Sequence, residues 1–250
     1  MVKHYIVMSS AYSLGKRIVI DYHYDDIKEM SKIKKDMDYI IKMCGKDVPI
    51  SIHSIQTNSV SWESVIKLDK FFKDTLLIKT KEEFVDIILK DRVLTGLDIA
   101  KYILSVVPCT HLKLEKLTYL CYANYLCEEK KKLFEDKIFA YRLGPIIESI
   151  YKKYKKSGLG KLQVEDDKKT YNEDLKKLSS RSRILSSQDG IKKLVSIDNT
   201  LEKYSHLSAR DLVYLTHKHE TPWEKSGAGK SLNIEISDEL ILRYHINESL

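Results

Sequence analysis

Only 4 of the 250 residues are cysteine. Cys44 stands alone, and Cys109, Cys121 and Cys127 are close together without the spacing of a metal-ligand set. So few thiols in a chain of this length argue against a disulfide framework. No stretch of 18 or more apolar residues occurs, which argues against a membrane-spanning helix. The opening residues MVKHYIVMSSAYSLGKR hold too short an apolar run for a secretory signal, so a cytoplasmic protein with no membrane contact is expected. Internal repeats and low-complexity tracts are missing, and so is any glycine-rich phosphate turn after a predicted strand.

What remains is a soluble globular composition, 43% hydrophobic and 32% charged, long enough for one large domain or two ordinary ones. The net charge is +7. Lysines are interleaved with Asp and Glu along nearly every predicted helix, which reads as solvated faces rather than a nucleic-acid surface. Two local basic patches stand out, EEKKKLFEDK and YKKYKKSGLGK, and these suit an acidic protein partner or plain solubility better than sequence-specific DNA reading. No helix clusters Arg or Asn on one face with aromatic residues between them, so nucleic acid is not an expected partner.

Residues 1–92 alternate in type. HYIVM, KRIVIDY, VPISIHSI and TLLIKT read as strands. Between them, Asp26 is expected to cap a helix with Ile27, Met30, Ile33, Met37, Ile40, Ile41 and Cys44 on one face. Ser61 opens a helix through Trp62, Val65, Leu68 and Phe72, and Thr80 caps KEEFVDIILK. This is the pattern of a small α/β domain. From Val93 on, the pattern is helical. Thr95 with Asp98, and Ser208 with Asp211, form capping boxes. Pro108 stops one helix and Thr110 starts the next. Gly144-Pro145 is expected to open a helix through Ile146, Ile147, Ile150, Tyr151 and Tyr154. Residues 158–188 read as a charged, mobile loop with room for a short helix. Helical period then returns at Ile191, Leu194, Val195, Leu201 and Tyr204. Ser237 starts the last helix, with Ile236 and Ile241 as its hydrophobic staple. The fold class expected is α+β, with a domain boundary near residues 92–93.

The segment LVYLTHKHETPWEKS, 212–226, invites a metal-site reading. An H-E-x-x-H site needs two histidines four apart on one helical face, and His217 and His219 are two apart. The better reading is a helix C-terminus, where a histidine suits the dipole, followed by Trp223 anchored in the core. SGAGKS, 226–231, lacks the first glycine of a phosphate loop, which would fall at Glu224, and no strand precedes it. No nucleophile stands in a recognised turn. No catalytic, cofactor-binding or metal-ligating residue is therefore assigned. The best enzyme alternative is a metal-dependent nuclease- or hydrolase-like first domain using Asp21, His23, Asp25 and Asp26, although these also read as caps of the following helix.

Four segments in series carry a resemblance. They are LTGLDIAKYILS, LKLEKLTYLCYANYL, LFEDKIFAYRLGPIIESIYKKYKKSG and LVYLTHKHETPW. Over residues 93–250 they resemble the SocA-like, Panacea antitoxin domain. The shared positions are Asp98, Ile99, Ala100, Tyr102, Ile103 and Leu104; then Leu112 to Leu117 with Tyr119; then Ala140, Tyr141, Gly144 and Pro145; then Leu215, Thr216, His217, Pro222 and Trp223. Tyr141 stands where the family pattern commonly has Trp. The resemblance implies a mainly α-helical second domain, with Gly144, Pro145, His217, Pro222 and Trp223 as fold signature. It also implies an antitoxin that binds and neutralises a cognate protein toxin in a toxin–antitoxin or phage-defence setting, without a cofactor or catalysis. A protease adaptor that delivers the toxin for degradation is the alternative within the family. Residues 1–92 resemble nothing named. The basic patch beside the Gly-Pro turn nominates Tyr141, Arg142, Lys152, Lys153, Lys155 and Lys156 as the partner-binding residues.

Overall fold

A computed structural model of the chain describes residues 1–24, 27–158, 160–162, 173–228 and 234–249, with the side chains of 24, 27–29 and 173–177 left aside. The fold is α+β, and the chain divides into two compact units, Met1–Val93 and Leu94–Leu250. Among the described residues, no helix is long and apolar enough to cross a membrane.

The first unit is built on a hairpin of β1 (Val2–Ala11) and β2 (Lys16–Tyr24). After α1 (Ile27–Cys44), β3 (Ile50–Thr57) pairs antiparallel with β1. α2 (Trp62–Leu68) and a 3-10 turn at Lys70–Phe72 lead to β4 (Thr75–Leu77), which pairs parallel with β2; α3 (Lys81–Asp91) closes the unit. The strand order is β3-β1-β2-β4. Side chains alternate across a strand, so each face of the central hairpin has its own core. Val7, Ala11, Ile18 and Ile20 pack with Ile40 and Cys44 of α1 and with Phe84, Val85 and Ile88 of α3. Ile6, Met8 and Val19 pack with Val65 and Phe72 on the other side.

Two helical expectations need correction here. Met30 and Ile41 are exposed, so the buried stripe of α1 is narrower than the sequence pattern and centres on Ile33, Ile40 and Cys44. The helix from Ser61 does not run to Phe72. It stops at Asp69, whose side chain accepts the Phe71 N–H and starts the 3-10 turn, and Leu68 is left exposed. The Asp26 cap lies outside the described residues.

The second unit wraps helices around α5 (His111–Glu129), which buries residues on every side, as a central helix must. Before it runs α4 (Gly96–Val106), opened by the Thr95–Asp98 capping box. After it come β5 (Ile138–Tyr141), β6 (Gly144–Ile147), α6 (Glu148–Tyr154), α7 (Glu173–Leu185), α8 (Gly190–Tyr204), α9 (Ala209–Thr216), α10 (Pro222–Lys225), β7 (Ile234–Glu235) and α11 (Asp238–Tyr244). The three strands form an antiparallel sheet in the order β6-β5-β7. The Ser208–Asp211 capping box starts α9, and Ser237 caps α11 by accepting the Leu240 N–H. Ile236 and Ile241 are both buried, as the staple requires.

Three further expectations are corrected or refined, each for an identifiable reason. Gly144-Pro145 opens no helix. It begins β6, an edge strand where a missing proline N–H removes no ladder hydrogen bond, and α6 starts only at Glu148. Within residues 158–188, the helix is Glu173–Leu185, at 13 residues longer than the short one expected. Its buried positions include Ser180, Arg183 and Ile184, and Arg183 reaches the Asp98 carboxylate at 3.3 Å, so no apolar stripe marks it. Gly190 fits where it does because α8 begins against the end of α7; a Cβ there would lie 2.4 Å from the Leu185 carbonyl. Finally, Ile191 and Val195 of α8 are exposed, while Leu194, Ile197, Leu201 and Tyr204 face the core.

Candidate functional site

The motif residues of the second unit converge on the β5–β6 hairpin. Lys116, on the central helix, is completely buried and donates to the Pro145 carbonyl at 2.5 Å. One residue earlier, Glu115 accepts the Ile147 N–H at 3.0 Å and lies 3.2 Å from His111. Neighbouring acid and base of one helix thus hold the backbone of one strand. Burial pulls the Lys116 ammonium down to about 7, against the opposing pull of Glu115 and Glu248. Gly144 closes the same contact. Its φ is +102°, and a Cβ would fall 2.8 Å from Thr216 Oγ1 and 2.9 Å from Lys116 Nζ.

The late motif reaches the hairpin from the other side. His217 is the C-cap of α9, with its ring nitrogens 2.7 Å from the Val213 carbonyl and 3.2 Å from that of Arg142. Trp223 stacks on His217 with ring centroids 3.8 Å apart and donates its indole N–H to the Tyr141 carbonyl at 2.8 Å. Trp223 is only half-buried, so it braces the hairpin rather than filling the core. Pro222 is buried at the first position of α10, with Thr221 as cap. His219 is exposed and contacts Glu224, on a different side from His217, so the two do not form a ligand pair.

A second buried polar chain ties the C-terminal turn to α5. Tyr119 donates to Glu248 at 2.7 Å, His245 lies 2.7 Å from both Glu248 and Asn124, and Asn124 donates to Thr200 at 2.9 Å. Burial raises the Glu248 carboxyl, while His245, Tyr119 and Lys116 pull it down. The thiols are held protonated: burial pushes Cys109 up to about 12 and Cys121 higher. Neither offers a ready thiolate.

Outside the hairpin, the residues nominated for partner binding line up on β5, its turn and α6. Arg142 and Leu143 form the exposed tip. Tyr141 is half-buried and meets Tyr151 edge-on at 5.1 Å. Lys155 lies 5.8 Å from the Tyr151 ring, and Lys153, half-buried, 5.6 Å from Tyr154. Lys152 is exposed and paired with Glu148 at 2.8 Å, whose opposite charge offsets the one it presents. Lys156 is exposed in the 3-10 turn at Lys155–Ser157 that follows α6.

In the first unit the enzyme alternative named Asp21, His23, Asp25 and Asp26. Asp25 and Asp26 lie outside the described residues. Asp21 and His23 do come together, and they meet His4, which sequence reading missed. The register of the hairpin places His4 directly opposite His23. A histidine on β1 facing an Asp-x-His pair on β2 was the available signal, but it becomes visible only once that register is fixed.

Residues 114–224 match the family model described as "Antitoxin SocA-like, Panacea domain". No curated protein and no solved structure matches the chain. The matched segment runs from Leu114 in the first turn of α5 to Glu224 beside Trp223, and so includes Lys116, Gly144, Pro145, Thr216 and Trp223, the residues that meet at the hairpin. Over that segment the helical unit of this protein is similar to the SocA-like, Panacea antitoxin domain.

Proposed function

We propose that this protein neutralises a cognate protein toxin by direct binding, as the antitoxin of a toxin–antitoxin or phage-defence pair. The observation that carries the reading is the antitoxin-type family match over residues 114–224. The placement of the motif residues supports it. Lys116, Gly144, Pro145, Thr216 and Trp223 face inward and hold a hairpin, which leaves the tip of that hairpin to meet a partner. Neutralisation by binding requires a rigid, shaped surface and no turnover.

The proposed surface is the hairpin tip with α6. Arg142 and Leu143 are its anchors, Tyr141 and Tyr151 stiffen it, and Lys152, Lys153, Lys155 and Lys156 supply positive charge. A tip clamped from behind by Lys116 and Trp223 loses little entropy on binding. Arg and aromatic side chains are favoured anchors, while the lysines would chiefly speed association with an acidic partner. The test is co-expression with the cognate toxin, to be sought among the neighbouring genes. Arg142→Ala combined with Lys152→Glu and Lys155→Glu should abolish rescue of growth while circular dichroism and the melting curve stay native. Full rescue by that folded variant would overturn the assignment of this surface. Failure of the wild-type chain to rescue growth or to bind the toxin would overturn the antitoxin reading itself.

A further inference from the structure

We propose that the first unit binds a divalent transition-metal ion through His4, Asp21 and His23. His4 Nδ1 lies 2.8 Å from Asp21 Oδ2, and His23 Nε2 lies 3.0 Å from the same oxygen. The three ligand atoms are all within 4.8 Å of one another. They stand on the β1–β2 hairpin: His4 is paired on both sides, with His23 and with Ile55 of β3, and Asp21 and His23 are paired with β1. Sites built on paired strands hold their geometry better than sites on loops.

The hydrogen bonds behind His4 orient its ring as a metal ligand's would be. His4 is fully buried. Its Nε2 lies 3.0 Å from the Ser59 carbonyl and 3.0 Å from Thr57 Oγ1. A carbonyl oxygen can only accept, so Nε2 carries the proton. Thr57 directs its own hydroxyl proton to that same carbonyl at 2.6 Å and so receives from His4 rather than donating to it. In the neutral ring this leaves Nδ1 as a bare lone pair aimed at a carboxylate oxygen. Two lone pairs at 2.8 Å repel unless a proton or a metal ion sits between them, and the second imidazole of His23 on the same oxygen suits the ion. A histidine that gives one N–H to a backbone carbonyl while its other nitrogen points into a cluster has the arrangement of a metal ligand held by outer partners.

Asp21 supplies an independent sign. Its side chain is 5% exposed, and its second oxygen, Oδ1, is buried with no hydrogen-bond partner among the described residues. An ionised carboxylate so placed is undercompensated by protein alone. A bound cation would neutralise it. His23, 40% exposed, opens the cluster to solvent and gives an ion a way in.

The ligand set narrows the ion. Two imidazoles and one carboxylate suit zinc and its first-row neighbours, whereas calcium and magnesium want oxygen ligands. Three protein ligands leave a coordination position for water or an external ligand, as in open zinc sites. Metal binding of this kind is separate from toxin binding by the second unit and stands or falls without it.

The test uses the full chain, stripped with chelator and titrated with Co2+ and then Zn2+. One equivalent of Co2+ should bind, giving visible ligand-field bands of a four- or five-coordinate ion without thiolate charge transfer, and Zn2+ should displace it. Zn2+ should raise the melting temperature of the wild type. His23→Gln and Asp21→Asn should each weaken binding at least tenfold and abolish the thermal shift. His53→Gln, on the neighbouring strand β3, should keep both. Because His23 is partly exposed, its variant stays folded and keeps the test decisive. Absence of saturable Co2+ binding would mean that a proton bridges His4 and Asp21 instead, and binding unchanged in both variants would place the ion elsewhere. Either result overturns the proposal.

Discussion

Trp223 donates its indole N–H to the carbonyl of Tyr141 at 2.8 Å. The two residues are 82 positions apart, and this bond links the end of the matched family segment to the strand before Gly144. Trp223→Ala should therefore cost about 2–3 kcal/mol in urea unfolding, below the roughly 3–5 kcal/mol of a fully buried tryptophan because Trp223 is half-exposed. Trp223→Phe keeps much of the ring contact with His217 and should lose only about 1 kcal/mol, the worth of the hydrogen bond. Equal losses in the two variants would show that the ring contributes nothing.

Gly144→Ala should destabilise far more than its size suggests. A φ of +102° is strained for any residue with a Cβ, at about 1–3 kcal/mol. Contacts of 2.8 Å to Thr216 and 2.9 Å to Lys116 add overpacking of similar size. Adding Thr216→Ala removes the nearer obstacle and should recover part of the loss. A thermal melt of the single and double variants measures that coupling, and strict additivity would refute the contact.

Lys116 gives the second unit a pH dependence of unusual sign. Its ordinary value of 10.5 holds in the unfolded chain, while burial lowers the folded value to about 7. Below pH 7 both states carry the proton and the full cost of a buried charge is present. Between about pH 7 and 10.5 only the unfolded chain stays protonated, so this group's contribution to stability rises with pH. The raised thiols and tyrosines work in the opposite direction at the alkaline end. The wild type should therefore gain stability relative to Lys116→Met as pH rises from 7 to 10, by an amount on the order of a few kcal/mol. Parallel pH profiles for the two proteins would show that Lys116 keeps an ordinary proton affinity.

Features that depend on residues three or four apart were legible in the sequence. The Thr95–Asp98 and Ser208–Asp211 capping boxes are local hydrogen-bond patterns, and both form. Features decided by distant pairing were not. Gly144-Pro145 can precede a helix or begin an edge strand, and only the pairing of β6 with β5 selects the strand. α7 hides because its inward side carries Ser180 and Arg183 in place of aliphatic residues. Lys116 reads as one more solvated lysine, yet the central position of α5 buries it. The His4–Asp21–His23 cluster needs the register of two strands before its members meet.

The proposed toxin-binding surface makes a kinetic prediction that separates its charges from its anchors. Lys155 and Lys156 are exposed beyond α6, whereas Lys152 is already paired with Glu148. Exposed charges act at long range and are screened over about 8–10 Å in physiological salt. They should therefore set the association rate with an acidic toxin and leave dissociation almost unchanged. Lys155→Glu with Lys156→Glu should slow association at least tenfold at low salt, and the gap from wild type should close as salt rises to about 0.5 M, where the screening length falls to a few ångströms. Lys152→Glu should do less alone, since it also removes a partner of Glu148. Arg142→Ala and Leu143→Asp act at the tip itself, where desolvated contact decides residence time, so they should speed dissociation with little effect on association. Biolayer interferometry with immobilised toxin at two salt concentrations resolves the two classes. If the lysine pair changes dissociation and the tip pair changes neither rate, the hairpin tip is not the contact and the surface must be sought elsewhere on the helical unit.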